Sequence, residues 1–265
     1  MKKLLSILMS TSIIICSLFC FNSAAFADGW INYVQEVNLD QTNATAFDSS
    51  DFYDGNTCEY YKPFKITVPE KGIISVNLES EEEYFVQYIG DYISHVILLV
   101  YKSTDLENCI YNSYNQPSLS YGYMSAYNTY YSKNNVSLAA GEYYLVFSCT
   151  NDYNLNTEFS FTLNYTPTFP NTTISKLTPK KKSFKVNFKN CSNVSGYQIK
   201  YSTDKKMTSS KKVKVSSTAS SKTIKSLKSK KTYYVKVRTY KTVNVNGVNK
   251  TYYGKWSKAK TVKTK

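Results

Sequence analysis

Residues 141–149, GEYYLVFSC, decide how this chain is to be read. After Gly141, the residues Tyr143, Leu145, Phe147 and Cys149 fall at every second position. Strand side chains alternate between the two faces of a sheet, so this spacing builds one apolar face on an antiparallel strand. The same period recurs in Phe64, Ile66 and Val68, in Ile74, Val76 and Leu78 after Gly72, and in Phe159, Phe161, Leu163 and Tyr165. The run Val96-Ile97-Leu98-Leu99-Val100 suits a buried strand and is too short to span a membrane. No stretch of comparable length has helical periodicity. Short strands separated by Gly, Asn and Asp turns predict an all-β chain of sandwich or jelly-roll type.

Charge divides the chain. Residues 28–166 hold 5 lysines against 18 acidic residues, a net −13. Residues 167–265 hold 25 lysines and Arg238 against Asp204 alone, a net +25. Such asymmetry marks two domains, with the boundary at Thr166-Pro167-Thr168-Phe169-Pro170. Residues 1–27 read as a signal peptide: Lys2 and Lys3, an apolar run from Leu4 to Phe21, and Ala25-Phe26-Ala27 before Asp28. An uncleaved anchor is the alternative for that run. Ile15 and Phe19 precede Cys16 and Cys20, where a lipoprotein signal needs a small residue. The expected division is therefore a signal peptide (1–27), an acidic Tyr-rich β-sandwich (28–166), a linker (167–170) and a lysine-rich domain (171–265). The mature chain is expected to be secreted and extracellular and free of the membrane once cleaved, with the cell wall as a candidate place of association.

Two resemblances add to this. Residues 60–72, YYKPFKITVPEKG, and the later Leu138-Ala139-Ala140-Gly141-Glu142-Tyr143-Tyr144-Leu145 are similar to the bacterial pre-peptidase C-terminal-like sandwich. That likeness implies a jelly-roll-like, non-catalytic module over residues 28–166. In the second half, Val194-Ser195-Gly196-Tyr197-Gln198-Ile199-Lys200-Tyr201-Ser202 resembles the third strand of bacterial fibronectin type III domains. Leu227 and Tyr233 keep the family's leucine–tyrosine corner, Tyr233, Val235 and Val237 alternate inward, and Tyr253-Gly254-Lys255-Trp256-Ser257 resembles the start of the last strand. Residues 171–265 are thereby expected to form an immunoglobulin-like sandwich. The sequence departs from that pattern at Phe188, where many members carry tryptophan, and at Ser229-Lys230, where Pro-Gly is common. Asn246-Gly247 signals a tight hairpin turn, in a loop without an Arg-Gly-Asp motif.

Chemistry is sparse in these residues. The lone His95 sits in an apolar strand without a G-x-S-x-G elbow, and Glu79, Glu81, Glu82 and Glu83 read as a solvated face rather than paired catalytic carboxylates. No catalytic residues and no cofactor are expected. Asp48, Asp51 and Asp54 beside Gly55 offer hard oxygens for calcium, but their spacing misses the D-x-D-x-D-G loop, so no metal is assigned. The mature cysteines Cys58, Cys109, Cys149 and Cys191 are expected as buried thiols or with one bridge among the first three.

Two sets of residues are candidates for binding. The stretch 121–135, YGYMSAYNTYYSKNN, has five tyrosines and three asparagines. There Tyr127, Tyr130, Tyr131 and Asn134 form a candidate carbohydrate grip, since sugars stack on aromatic rings. Lys180, Lys181, Lys182, Lys205, Lys206, Lys211 and Lys212 fall mostly in predicted turns and are candidate anion-binding residues. Lysines are mobile point charges, which favours an anionic cell-wall polymer or polysaccharide as partner over specific reading of nucleic acid. The leading expectation is a non-catalytic cell-surface or matrix-associated binding or adhesion protein. The alternatives are an extracellular spacer without a ligand and, more distantly, a polysaccharide-degrading enzyme.

Overall fold

A computed structural model describes residues 30–47, 50–54, 59–81, 97–113, 122–124, 129–150 and 158–265. The signal peptide, His95 and Tyr127 lie outside those residues. No helix among the described residues is long and apolar enough to cross a membrane. The chain splits into two compact units, Met1–Thr166 and Pro167–Lys265.

In the first unit the described strands are β1 (Gln35–Glu36), β2 (Thr42–Ala46), β3 (Phe52–Asp54), β4 (Glu59–Val68), β5 (Gly72–Glu81), β6 (Ile97–Lys102), β7 (Asp105–Asn112), β8 (Gly122–Met124), β9 (Thr129–Leu138), β10 (Gly141–Thr150) and β11 (Glu158–Pro167). One sheet runs β1-β4-β10-β6-β7 with β3 beside β4, and the other runs β2-β11-β5-β9-β8. The alternating apolar positions close the space between them. Phe64 and Phe147 on the first sheet meet Phe159 and Phe161 on the second, at ring-centroid distances of 4.6 to 5.2 Å. This is the sandwich that the period-two pattern predicts.

A second core lies on the other face of the first sheet. Trp30, fully buried, packs with Tyr61, Leu99, Tyr101 and Val146. Its ring stands 5.8 Å from that of Tyr101 and meets Tyr144 edge-on at 5.4 Å. The unbroken apolar run of β6 now has its reason. Leu98 and Val100 alternate with Leu99 and Tyr101, and both sets are buried.

The second unit holds β12 (Ile174–Lys180), β13 (Ser183–Phe188), β14 (Gly196–Ser202), β15 (Lys211–Ser216), β16 (Ser221–Ile224), β17 (Thr232–Val245), β18 (Val248–Tyr253) and β19 (Lys260–Lys263). Strands β12-β13-β16 form one sheet; β15-β14-β17 form the other, with β18 and β19 pairing successive parts of β17. Three strands facing four, with the last strand in two segments, is the fibronectin type III arrangement. Phe184, Val186, Tyr197, Ile199, Val235 and Val237 are fully buried between the sheets. The Tyr233 hydroxyl accepts a hydrogen bond from the Lys228 backbone N–H at 3.1 Å, which forms the expected tyrosine corner. Phe188 fills the core against Tyr197, with ring centroids 4.5 Å apart.

Turn chemistry is equally direct. Asn246 and Gly247 adopt φ of 52° and 80° between paired Val245 and Val248, the geometry a two-residue hairpin turn requires. Lys230, where the family commonly has glycine, is also left-handed at φ 55°. The span 167–170, read as a linker, is structured at its ends. Pro167 closes β11, and the Pro170 carbonyl accepts a hydrogen bond from Thr239 Oγ1 at 2.8 Å.

Candidate anion-binding surface

Of the residues nominated in the first unit, Tyr127 lies outside the described residues, and of Tyr130 and Tyr131 only the backbone is described. Tyr130 and Tyr131 are consecutive residues of β9, paired to Ser80 and Glu79 of β5 and to Tyr123 and Gly122 of β8. Consecutive strand positions belong to opposite faces of a sheet, so Tyr130 and Tyr131 do not share a face. Asn134 needs a stronger correction. It is 1% exposed on the inner face beside Val136 and Leu138, and its Oδ1 accepts a 2.8 Å hydrogen bond from the Tyr111 hydroxyl of β7. Burial raises the pKa of that phenol. Asn134 is thus a satisfied core polar group that joins the two sheets, not a surface contact.

The calcium set fares likewise. Asp51 is buried against Lys62, whose Nζ lies 2.8 and 3.0 Å from its two carboxylate oxygens and 2.8 Å from the Ala46 carbonyl. Both carboxylate oxygens of Asp51 thus already answer an ammonium. Asp48 lies outside the described residues, and of Asp54 only the backbone, in β3, is described. Glu79 and Glu81 belong to β5 itself rather than to a loop after it. Cys109 is a free thiol that donates to the Tyr111 carbonyl at 3.0 Å, its pKa raised by burial. Cys191 is also free. Cys58 and the side chain of Cys149 lie outside the described residues.

Attention shifts to the second unit, where charge is lopsided by composition and again by geometry. Its one acidic side chain, Asp204, is tied into its own turn. One oxygen accepts from the Lys206 N–H at 2.9 Å, and the other from the N–H and hydroxyl of Thr208 at 3.0 and 2.5 Å. The Thr208 hydroxyl, with those two backbone N–H groups, holds the carboxyl below the usual aspartate range. Within this unit, the lysines have no other carboxylate side chain to answer them.

All seven nominated lysines are exposed. Residues 180–182 form the β12–β13 turn, which is knitted to two other lysine-bearing segments. Lys265 N donates to Lys180 O, Lys182 N to Lys265 O, and Leu227 N to Lys182 O, while Thr264 Oγ1 donates to Lys228 O. Lys205 and Lys206 lie in the turn after β14, whose last residue, Ser202, pairs with Tyr234 near the start of β17. These turns thus share one cationic pole. Lys211 and Lys212 begin β15, in strand rather than turn, with Lys211 paired to Tyr201.

On the outer face of the four-stranded sheet is an array the sequence did not reveal. Gly254 N donates to Thr239 O, and Ser257 N to Val237 O, so four residues on the edge span three on β17. This bulge places Trp256 over the sheet. Only glycine fits at its start, because a Cβ on Gly254 would lie 2.6 Å from Thr239 Oγ1 and 2.7 Å from Asn171 Oδ1. Arg238, the single arginine of the chain, stands with its guanidinium carbon 3.9 Å from the Tyr253 ring centroid and 4.3 Å from that of Trp256. Its Nε and a terminal nitrogen both donate to Gln198 Oε1, at 3.0 and 2.7 Å. Burial lowers its pKa, with Tyr253 opposing, and the guanidinium remains charged. Lys200 Nζ lies 5.6 Å from the Trp256 ring, and Lys214 Nζ 5.0 Å from that of Tyr240. The sequence signal was present in Tyr253 and Trp256, but only the bulge shows which residue Trp256 covers.

No protein-family model matches the chain, and no curated protein is similar to it. Among solved structures, the pre-peptidase C-terminal domain of a collagenase from Bacillus anthracis is similar at 12% identity; the match covers 49% of this chain and 94% of that one, with a TM-score of 0.31. The fn3 domain of human contactin 1 is similar at 18% identity over 37% of this chain and 81% of that one, with a TM-score of 0.30. A β-1,2-glucanase from Parabacteroides distasonis is similar at 10% identity over 78% of this chain and 30% of that one, with a TM-score of 0.28. Both resembled folds are among the neighbours. The assignment of each unit rests on its own strand order, because similarity this distant transfers no activity or ligand.

Proposed function

We propose that this chain is a secreted, non-catalytic binding protein of the cell surface or matrix, whose lysine-rich second unit associates with anionic envelope polymers or glycans. One observation carries the reading: 25 lysines and Arg238 share a unit with a single acid, Asp204, which is already held in its own turn. Such a field attracts polyanions and is screened over about 8 Å at physiological ionic strength. Arg238, the one residue that could clamp an oxyanion with a fork, is stacked between two rings and bonded to Gln198. Association is therefore by lysine point charges and sensitive to salt. Retention of the mature chain on purified cell walls, released by rising salt, is the expected result. Absence of retention even at low ionic strength overturns the reading, and hydrolysis of a wall polysaccharide by the purified chain overturns its non-catalytic part.

A further inference from the structure

Lys212, Lys200 and Lys236 occupy directly opposed positions on β15, β14 and β17: Lys200 pairs with Lys212 on one side and with Lys236 on the other. Neighbouring strands lie about 4.8 Å apart, so three lysines spring from one transverse row across the sheet. Like charges directly opposed across strands are destabilising. No carboxylate side chain on their strands offsets them, since the unit's only acidic side chain is Asp204, held in its own turn. Protection of a sheet edge explains lysines on β15, but β14 and β17 are interior strands with neighbours on both sides. Neither ion pairing nor edge protection therefore explains Lys200 and Lys236, although Lys200 does contact the Trp256 ring. The row above it adds Lys214 and Arg238, which flank Gln198 in the same register.

We infer that the outer face of the β15-β14-β17 sheet is a binding site for a linear phosphodiester polymer, which crosses the strands along the Lys212–Lys200–Lys236 row beside Trp256. The inference rests on the proposed function and gives it a place and a ligand chemistry. Three cations in line suit a chain with regularly spaced charges better than a single anion. The row offers ammonium point charges, a form in which lysine binds phosphate; the planar fork for bidentate recognition of carboxylate or phosphate is present only in Arg238, which already bonds Gln198. Lys200 lies against Trp256, so occupancy of the row is read in the emission of that ring, the one tryptophan of this unit.

The test uses the mature chain, poly(glycerol phosphate) as probe, and two charge-matched triple variants. One is Lys200→Gln, Lys212→Gln and Lys236→Gln; the other, on the opposite sheet, is Lys176→Gln, Lys185→Gln and Lys222→Gln. At about 1 kcal/mol for each lysine at an anionic surface, the first weakens binding on the order of a hundredfold and the second much less. The salt dependence of the first flattens by about two in log–log slope. Its Tm is unchanged or raised, since removing opposed like charges relieves repulsion. Equal losses in the two variants overturn the site and leave the proposed function standing; no binding of the probe by the parent chain overturns the phosphodiester site, and absence of wall retention as well overturns the proposed function. Equal or tighter binding of polyglutamate of matched charge overturns the phosphodiester assignment. Should the first variant fail to fold, Lys236→Gln against Lys222→Gln makes the same comparison, with the same outcomes.

Discussion

In the first unit Lys62 is buried beside Asp51, with both side chains 7% exposed and 2.8 Å apart. In the second, Lys200, Lys212 and Lys236 stand side by side across three strands with no carboxylate to face them. Lys65 repeats the first pattern at the surface: Glu142 lies 2.9 Å away and Glu36 3.8 Å, each on a neighbouring strand. Its pKa is raised, chiefly by the hydrogen bond to Glu142. The same residue type thus does two jobs in one chain. In the acidic unit a lysine answers a carboxylate and its place follows from folding. In the basic unit the lysines outnumber the one acidic side chain 25 to 1, so pairing with carboxylates of that unit does not set their places.

Lys62→Met is the sharpest way to break this contrast. It strands Asp51 in a buried site without its ammonium, and the expected cost is about 3–5 kcal/mol in denaturant unfolding. Adding Asp51→Leu recovers most of that loss, because a well-packed apolar pair replaces a buried ion pair at little cost. A loss for Lys62→Met no larger than that for Lys236→Gln erases the distinction between the two lysine roles. The next effect in size concerns Arg238, a structural cation of the second unit. Arg238→Ala removes two bonds to Gln198 and the guanidinium between Tyr253 and Trp256, for roughly 2 kcal/mol. Arg238→Lys recovers only part of it, since an ammonium cannot reproduce the planar stack and fork. Complete rescue by lysine would place Arg238 with the surplus charges after all.

These contrasts show which physics the sequence carries. The alternation of Phe64, Phe147, Phe159 and Phe161 is local, and it foretold both sheets and the core between them. The Leu227–Tyr233 corner and Asn246-Gly247 turn were legible for the same reason: the residue type meets a fixed backbone requirement. Register is not local. Whether Lys200 faces Lys212 or its neighbour depends on strand pairing, and a slip of one residue moves the whole set to the other face. Asn134 was misread as a surface residue because a core asparagine is recognised only by its partner, and Tyr111 is 23 residues away. Trp30 was passed over beside a signal-peptide boundary, although it anchors a second core. Its partners come from three different strands, β4, β6 and β10.

A smaller effect tests whether turn geometry and surface charge are separable. Lys230 holds φ at 55°, a region that costs a non-glycine residue about 1 kcal/mol. Lys230→Gly is expected to raise the stability of the second unit by about 0.5–1 kcal/mol, with little change in wall retention beyond one lost charge. A drop in stability would show that the lysine side chain, not the turn, sets this position.

Acid separates the two units with the least perturbation of all. Asp204 has a depressed folded-state pKa, so its stabilisation is present above the ordinary aspartate value near ~3.9 and is lost only as pH falls through the lower folded value. It is the only side-chain carboxylate of its unit, whereas the first half of the chain carries 18 acidic residues and buries Asp51 against Lys62. In an acid titration of the whole chain, the indole signal of Trp30 is therefore expected to change before that of Trp256, each tryptophan reporting its own unit. Asp204→Asn should remove the acid response of the Thr208 N–H while leaving the Trp30 transition in place. If Trp256 responds first, carboxylates outside the second unit hold its lysines, and the surplus that distinguishes the two halves is no surplus at all.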